Sequence, residues 1–161
     1  MVIIPEVNRR SALAFALLCL TAAPLTALAQ SDDGQSQTKD GLIAYIGVVP
    51  AAIVKGQAPG NSSPMMHAGI PRGRHEVHLV VAVFEAANGV RVSDATVTAQ
   101  VSALALGGPT KPMEAMDIAG TVTYGGFFDM SGAEFYTVRL TIRRPGIPSP
   151  VVMELSYDHR P

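Results

Sequence analysis

From residue 75 onward, apolar and polar positions in this chain alternate with a period of two, the spacing of β-strands rather than helices. In residues 75–84, Val77, Leu79, Val81 and Val83 fall on one face, and His78, Val80, Ala82 and Phe84 on the other. Both faces are largely apolar beyond His78, so this strand is expected at the centre of a sheet. Ala95, Val97, Ala99 and Val101 alternate with Thr96, Thr98 and Gln100, which predicts a strand with one buried and one wet face. Tyr136, Val138, Leu140 and Ile142 alternate with Thr137, Arg139, Thr141 and Arg143, and Val151, Met153, Leu155 and Tyr157 form a last inward-facing set. Residues 42–49 suit a first strand, stopped by Pro50 and continued after a bend through residues 51–55. A further strand over residues 121–128 is interrupted by Gly125-Gly126, where a bulge or a close backbone approach is expected.

Turn signals separate these runs. Residues 57–64 are rich in Pro, Gly, Asn and Ser; Asn88-Gly89 is a hairpin-type turn; Gly107-Gly108-Pro109 and residues 145–150 break the chain again. No segment after the N-terminal region carries a helical stripe. About seven short strands with such punctuation predict an all-β fold, an antiparallel immunoglobulin-like β-sandwich.

The N-terminal region has a different character. Arg9 and Arg10 precede an apolar run at residues 12–20, and Ala27-Leu28-Ala29 is a small-x-small cleavage site, so residues 1–29 are read as a secretory signal peptide. Residues 30–41 are polar and lack an apolar period, and are read as a disordered linker before a sandwich domain at residues 42–161. Export of the mature chain to the periplasm follows.

Charge and composition then narrow the function. A net charge of −1 and scattered Lys and Arg do not supply the basic face that nucleic acid requires. The single cysteine, Cys19, lies within the signal, so the exported domain has no disulfide, thiolate ligand or cysteine nucleophile. A soft metal ion would have to be held by methionine sulfur and histidine nitrogen. Three of the four histidines, His67, His75 and His78, fall within residues 64–84 together with Met65 and Met66. The Met65-Met66-His67 loop fits either a copper site or a partner-binding knob.

Strand geometry restricts the combinations. Residues three apart in a strand point to opposite faces, so His75 and His78 share a metal only if the strand begins after His75 or bulges there. Glu76 falls on the same face as His78. Met113 and Met116 obey the same rule, so one of them belongs in the core. His159 and Met130 are weaker candidates, and Met153 alternates with core residues. No nucleophile elbow, HExxH motif or phosphate-binding loop is present, so the protein is read as a binder and not an enzyme.

Several short motifs carry a family resemblance. They are Val48-Val49-Pro50, Val77-His78-Leu79 opening the long strand, the segment MEAMDIAG at residues 113–120, Tyr124-Gly125, and YTVRLTIRRPG at residues 136–146. Together they resemble the periplasmic iron-transport proteins, also described as high-affinity iron- and copper-binding periplasmic proteins. The resemblance implies an immunoglobulin-like sandwich that often forms a homodimer, binds copper at a His/Met site and assists an inner-membrane iron permease. His78 matches the family's strand histidine, and Met116 its methionine ligand. Thr123 stands where the family has another histidine, Val80 where it has a carboxylate, and residues 145–150 replace a histidine-bearing loop. His67, Met66 and His75 are the candidates to complete the site. The competing reading is a structural or interaction module of the cell envelope, in which the histidines are incidental and an envelope protein is the partner.

Overall fold

Each alternating segment forms a strand in the computed structural model, which describes residues 34–55, 73–103, 107–118, 120–132 and 134–160. The elements are β1 (Ser36–Lys39), β2 (Leu42–Pro50), α1 (Ala51–Lys55), β3 (Glu76–Glu85), β4 (Thr96–Ala103), β5 (Thr110–Ile118), β6 (Thr121–Asp129), β7 (Phe135–Arg143) and β8 (Val151–Asp158). All pairings are antiparallel, in the order β1-β2-β3-β6-β5-β4-β7-β8. The layers β2-β3-β6-β5 and β4-β7-β8 have the strand order of an immunoglobulin constant-type sandwich. They are joined because β5 pairs with both: residues 110–113 with β4 and residues 114–118 with β6. The result is one continuous eight-stranded sheet that is almost a barrel.

The core lies where the alternation placed it. Val77, Leu79, Val81 and Val83 of β3 meet Val97, Ala99 and Val101 of β4, Val138, Leu140 and Ile142 of β7, and Val151, Met153 and Leu155 of β8 in a single buried cluster. Strand β3 is central, paired to β2 on one side and to β6 on the other. Tyr136 sits near the start of β7, and its hydroxyl donates to the Ser131 carbonyl at 2.6 Å. This is the tyrosine corner found in such sandwiches. Burial pushes the Tyr136 phenol above its ordinary pKa, and the neighbouring Glu134 carboxylate adds to the rise.

Two features, β1 and α1, differ from the sequence pattern. Residues 36–39, expected as part of a disordered linker, form β1 and raise the strand count to eight. This polar segment is held by backbone pairing to β2 and by bonds to β8, neither of which leaves an apolar signature in the sequence. Toward β8, Ser156 N donates to Gly34 O at 2.8 Å, Glu154 N to Gln37 Oε1 at 2.9 Å, and Lys39 Nζ to Val152 O at 2.8 Å. Residues 51–55 form the short helix α1 instead of continuing a strand. With only one turn, its buried pair Ala51 and Val54 is too brief to register as a stripe.

The Asn88-Gly89 turn is present, with Gly89 at φ 69° and Val90 N bonded to Asn88 Oδ1 at 2.9 Å. Antiparallel bonds from Glu85 N to Val90 O at 2.8 Å and from Val92 N to Val83 O at 2.9 Å flank a Phe84–Arg91 bridge, so the turn closes a short hairpin before the chain leaves β3 and crosses to the other layer. Strand β6 runs unbroken through Gly125-Gly126, which resolves that pair as a close approach and not a bulge.

Candidate metal centre

His78 stands on the face of β3 opposite the core, where side chains of a sandwich ordinarily meet water. Register places its neighbours: His78 faces Phe127 and Val80 faces Gly125 across β3–β6, while Glu114 faces Gly125 and Met116 faces Thr123 across β5–β6. His78, Phe127, Gly125, Thr123, Glu114 and Met116 therefore share one outer patch spanning three strands. Yet His78 is only 3% exposed, Phe127 6% and Met116 0%. Part of the cover comes from α1, whose Ala51 and Val54 pack on Phe127 together with Val49 of β2. The Phe127 ring in turn packs against the His78 imidazole, with centroids 4.8 Å apart and planes at 37°.

Gly125 supplies the space at the centre. A Cβ placed on it would lie 2.6 Å from His78 Nε2, 2.7 Å from Met116 Sδ and 2.4 Å from Met116 Cε. The imidazole nitrogen and the thioether sulfur thus converge on the volume above one glycine. Any larger residue would fill that volume. Imidazole and thioether together form a donor set for copper, and the room over Gly125 lets both approach one point, so these residues fit a soft ion. Among the described residues no three His, Cys, Asp or Glu side chains come together, so a carboxylate- or imidazole-rich site is not assembled from them.

The other candidates divide clearly. Met113 faces the core and Met116 the outer patch, as their spacing requires. Met130 and Met153 are core residues. Strand β3 begins at Glu76, so His75 lies just before it; His75 is exposed, and its carbonyl accepts from Met130 N at 2.9 Å. His67, Met66 and Met65, with the signal peptide at residues 1–29, lie outside the described residues. His159 sits against Tyr136 and Tyr157, with ring centroids 6.0 Å away in each case, and is remote in register from His78.

Comparison with known proteins agrees with this architecture. A DUF4426 family protein from Pseudomonas aeruginosa superposes with a TM-score of 0.58 at 20% identity, covering 79% of this chain and 94% of that one. A copper-bound variant of FetP from uropathogenic Escherichia coli gives 0.59 at 15% identity, over 78% and 94% of the two chains. A copper-bound variant of Campylobacter jejuni P19 gives 0.55 at 12% identity, over 77% and 93%. At these identities the likeness is one of fold. No protein-family model matches the chain, and no curated protein matches it at the level of sequence.

Two of the three places at which the family resemblance implies further ligands are at the same patch. Val80 is the register partner of Gly125, and Thr123 that of Met116. Neither offers a carboxylate or an imidazole. Sequence reasoning missed Phe127 as the cover of His78. Its signal was present in the period of two, which puts Phe127 on the same face as Gly125, but the cross-strand register that sets it against His78 is not a local property.

Proposed function

We propose that this protein is an exported, non-enzymatic metal-binding protein of the periplasm that handles copper or iron, delivering the ion to or receiving it from an inner-membrane permease. The observation that carries this reading is the convergence of His78 Nε2 and Met116 Sδ over Gly125. That two fold neighbours, FetP and P19, were solved with copper bound supports it. His78 and Met116 form the core of the site. His75, at the entrance to β3, and His67 and Met66 are the proposed completing ligands. Phe127, itself packed by α1, covers His78, and Gly125 leaves the point on which the two donors converge without a side chain. Copper or iron is cargo here, and neutral imidazole and thioether donors without a thiolate hold it at an affinity that permits release.

Metal titration of the purified protein tests the proposal, using copper in both oxidation states, ferrous and manganous ions, and zinc. His78→Ala and Met116→Leu are each expected to weaken binding by about tenfold or more, equivalent to about 1.4 kcal/mol. Met113→Leu, on the core face, should leave binding unchanged. Both Met→Leu changes conserve volume and should cost less than about 1.5 kcal/mol of stability, so loss of binding would not be a folding effect. A wild-type protein that binds no metal better than its unfolded chain would remove the basis for this function.

A further inference from the structure

We infer that a polar cleft on the outer side of β1, β7 and β8, away from the candidate metal centre, binds an oxyanion that carries its own hydroxyl group, such as hydrogen phosphate or a sugar acid. The cleft is a half-open cavity of about 350 Å³ lined by Gln37 and Lys39 of β1, Arg139 of β7, and Val152 and Glu154 of β8. Register and side-chain bonds bring these groups together. Arg139 is the cross-strand partner of Glu154, and β1 lies along β8 through the bonds made by Gln37 and Lys39. The lining holds two cations and one carboxylate, so it carries one net positive charge.

Donors outnumber acceptors in this cleft. Lys39 Nζ donates to the Val152 carbonyl at 2.8 Å and Arg139 Nη1 to Glu154 Oε1 at 3.0 Å, which leaves each cation further N–H groups. Gln37 Oε1 accepts from Glu154 N at 2.9 Å, so the other end of that amide is an NH2 donor. Stability alone does not account for the Arg139–Glu154 pair. Its side chains are 53% and 58% exposed, where such a pair contributes little, and β8 is already paired with β7 along its whole length.

Glu154 sets the selectivity. A ligand with acceptor oxygens alone would set one of them against the carboxylate and be repelled. A ligand that also has an O–H can donate it to Glu154 while its anionic oxygens accept from Lys39, Arg139 and Gln37, bonds strengthened by the two cationic donors. In neutral solution hydrogen phosphate and hydroxylated carboxylates offer both functions. Sulfate and acetate lack the O–H.

The test follows the backbone amide signals of Gln37 and Glu154 by NMR while the full protein is titrated, at constant ionic strength, with inorganic phosphate, sulfate, glucuronate and acetate. A preference of about tenfold or more for phosphate over sulfate assigns the site to phosphate, and the same preference for glucuronate over acetate assigns it to a sugar acid. Either result is the one expected. Arg139→Gln should weaken the preferred ligand about fivefold or more, whereas Arg143→Gln, which removes an exposed cation of β7 outside the cleft, should leave it unchanged. Glu154→Gln keeps the main-chain bond to Gln37 and should bring the ligand without an O–H to within about threefold of the preferred one, a gain that no folding defect produces. Sulfate and acetate binding as tightly as phosphate and glucuronate in the unaltered protein would overturn the inference, as would the absence of any shift at Gln37 and Glu154.

Discussion

Gly125→Ala is expected to weaken metal binding by about a hundredfold or more, equivalent to about 2.7 kcal/mol, while the protein stays folded. The added methyl would occupy the point on which His78 Nε2 and Met116 Sδ converge, at 2.6 and 2.7 Å. Something must then move, and the flexible end of Met116 is the part able to do so. Displacing it separates sulfur from nitrogen, so one methyl removes the space for the ion and the alignment of both donors. The backbone does not oppose the change, since Gly125 is not among the glycines at positive φ and lies within a regular strand. Alanine is also less costly than glycine to order in a strand interior. Isothermal titration beside urea unfolding would separate the two effects. Undiminished affinity in this variant would show that the space over Gly125 is not where the ion sits. Gly126→Ala serves as a control: its methyl would meet Met113 Sδ at 3.1 Å and Phe128 Cε2 at 3.3 Å on the core side, so it should disturb packing and spare the metal.

Tyr124→Phe is expected to have the largest effect on stability of any change that removes a single atom, about 2–3 kcal/mol. Tyr124 is 1% exposed on β6, and its hydroxyl holds two points in the latter half of the segment that carries the chain from β3 to β4. It donates to Val92 O at 3.1 Å and accepts from Ala95 N at 3.0 Å. Removing the oxygen leaves a carbonyl and an amide without their partner, and an unmet buried group costs more than a hydrogen bond gains. Burial holds the phenol above its ordinary pKa, opposed by the bond from Ala95, so the hydroxyl remains protonated and able to donate through the neutral range. The expected observation is a lower urea midpoint with an unchanged slope. A loss below about 0.5 kcal/mol would mean that the crossing is held by other contacts.

How far the sequence disclosed this molecule depends on what each feature consists of. Val77, Leu79, Val81 and Val83 announced a central strand because burial on both faces writes itself into a run of apolar residues. The assignment of Met113 to one face and Met116 to the other followed from strand parity alone. The glycine pair in β6 announced either a bulge or a close approach, and Gly125 makes the latter. The features that went unseen are those held by partners distant in the chain. Strand β1 is polar and rests on main-chain bonds, α1 is a single turn, and the dual pairing of β5 is a matter of register. The meeting of Met116 with His78 depends on β6 lying between β3 and β5, an adjacency that no local period encodes.

The bonds that tie β1 to β8 have a bearing on how the protein behaves when crowded. In an open sandwich the outermost strands present rows of unused N–H and C=O groups, which recruit strands from other chains and lead to insoluble assemblies. Here one polar strand screens two such rows. It pairs with β2 along Ser36–Lys39, while Gly34, Gln37 and Lys39 take up the facing groups of Ser156, Glu154 and Val152. A chain shortened to start at Leu42, where the apolar pattern begins, would keep its whole buried core and yet bare β2 and β8 together. The few hydrophilic residues ahead of the core thus guard solubility, a duty that falls on them because they have little affinity for the interior.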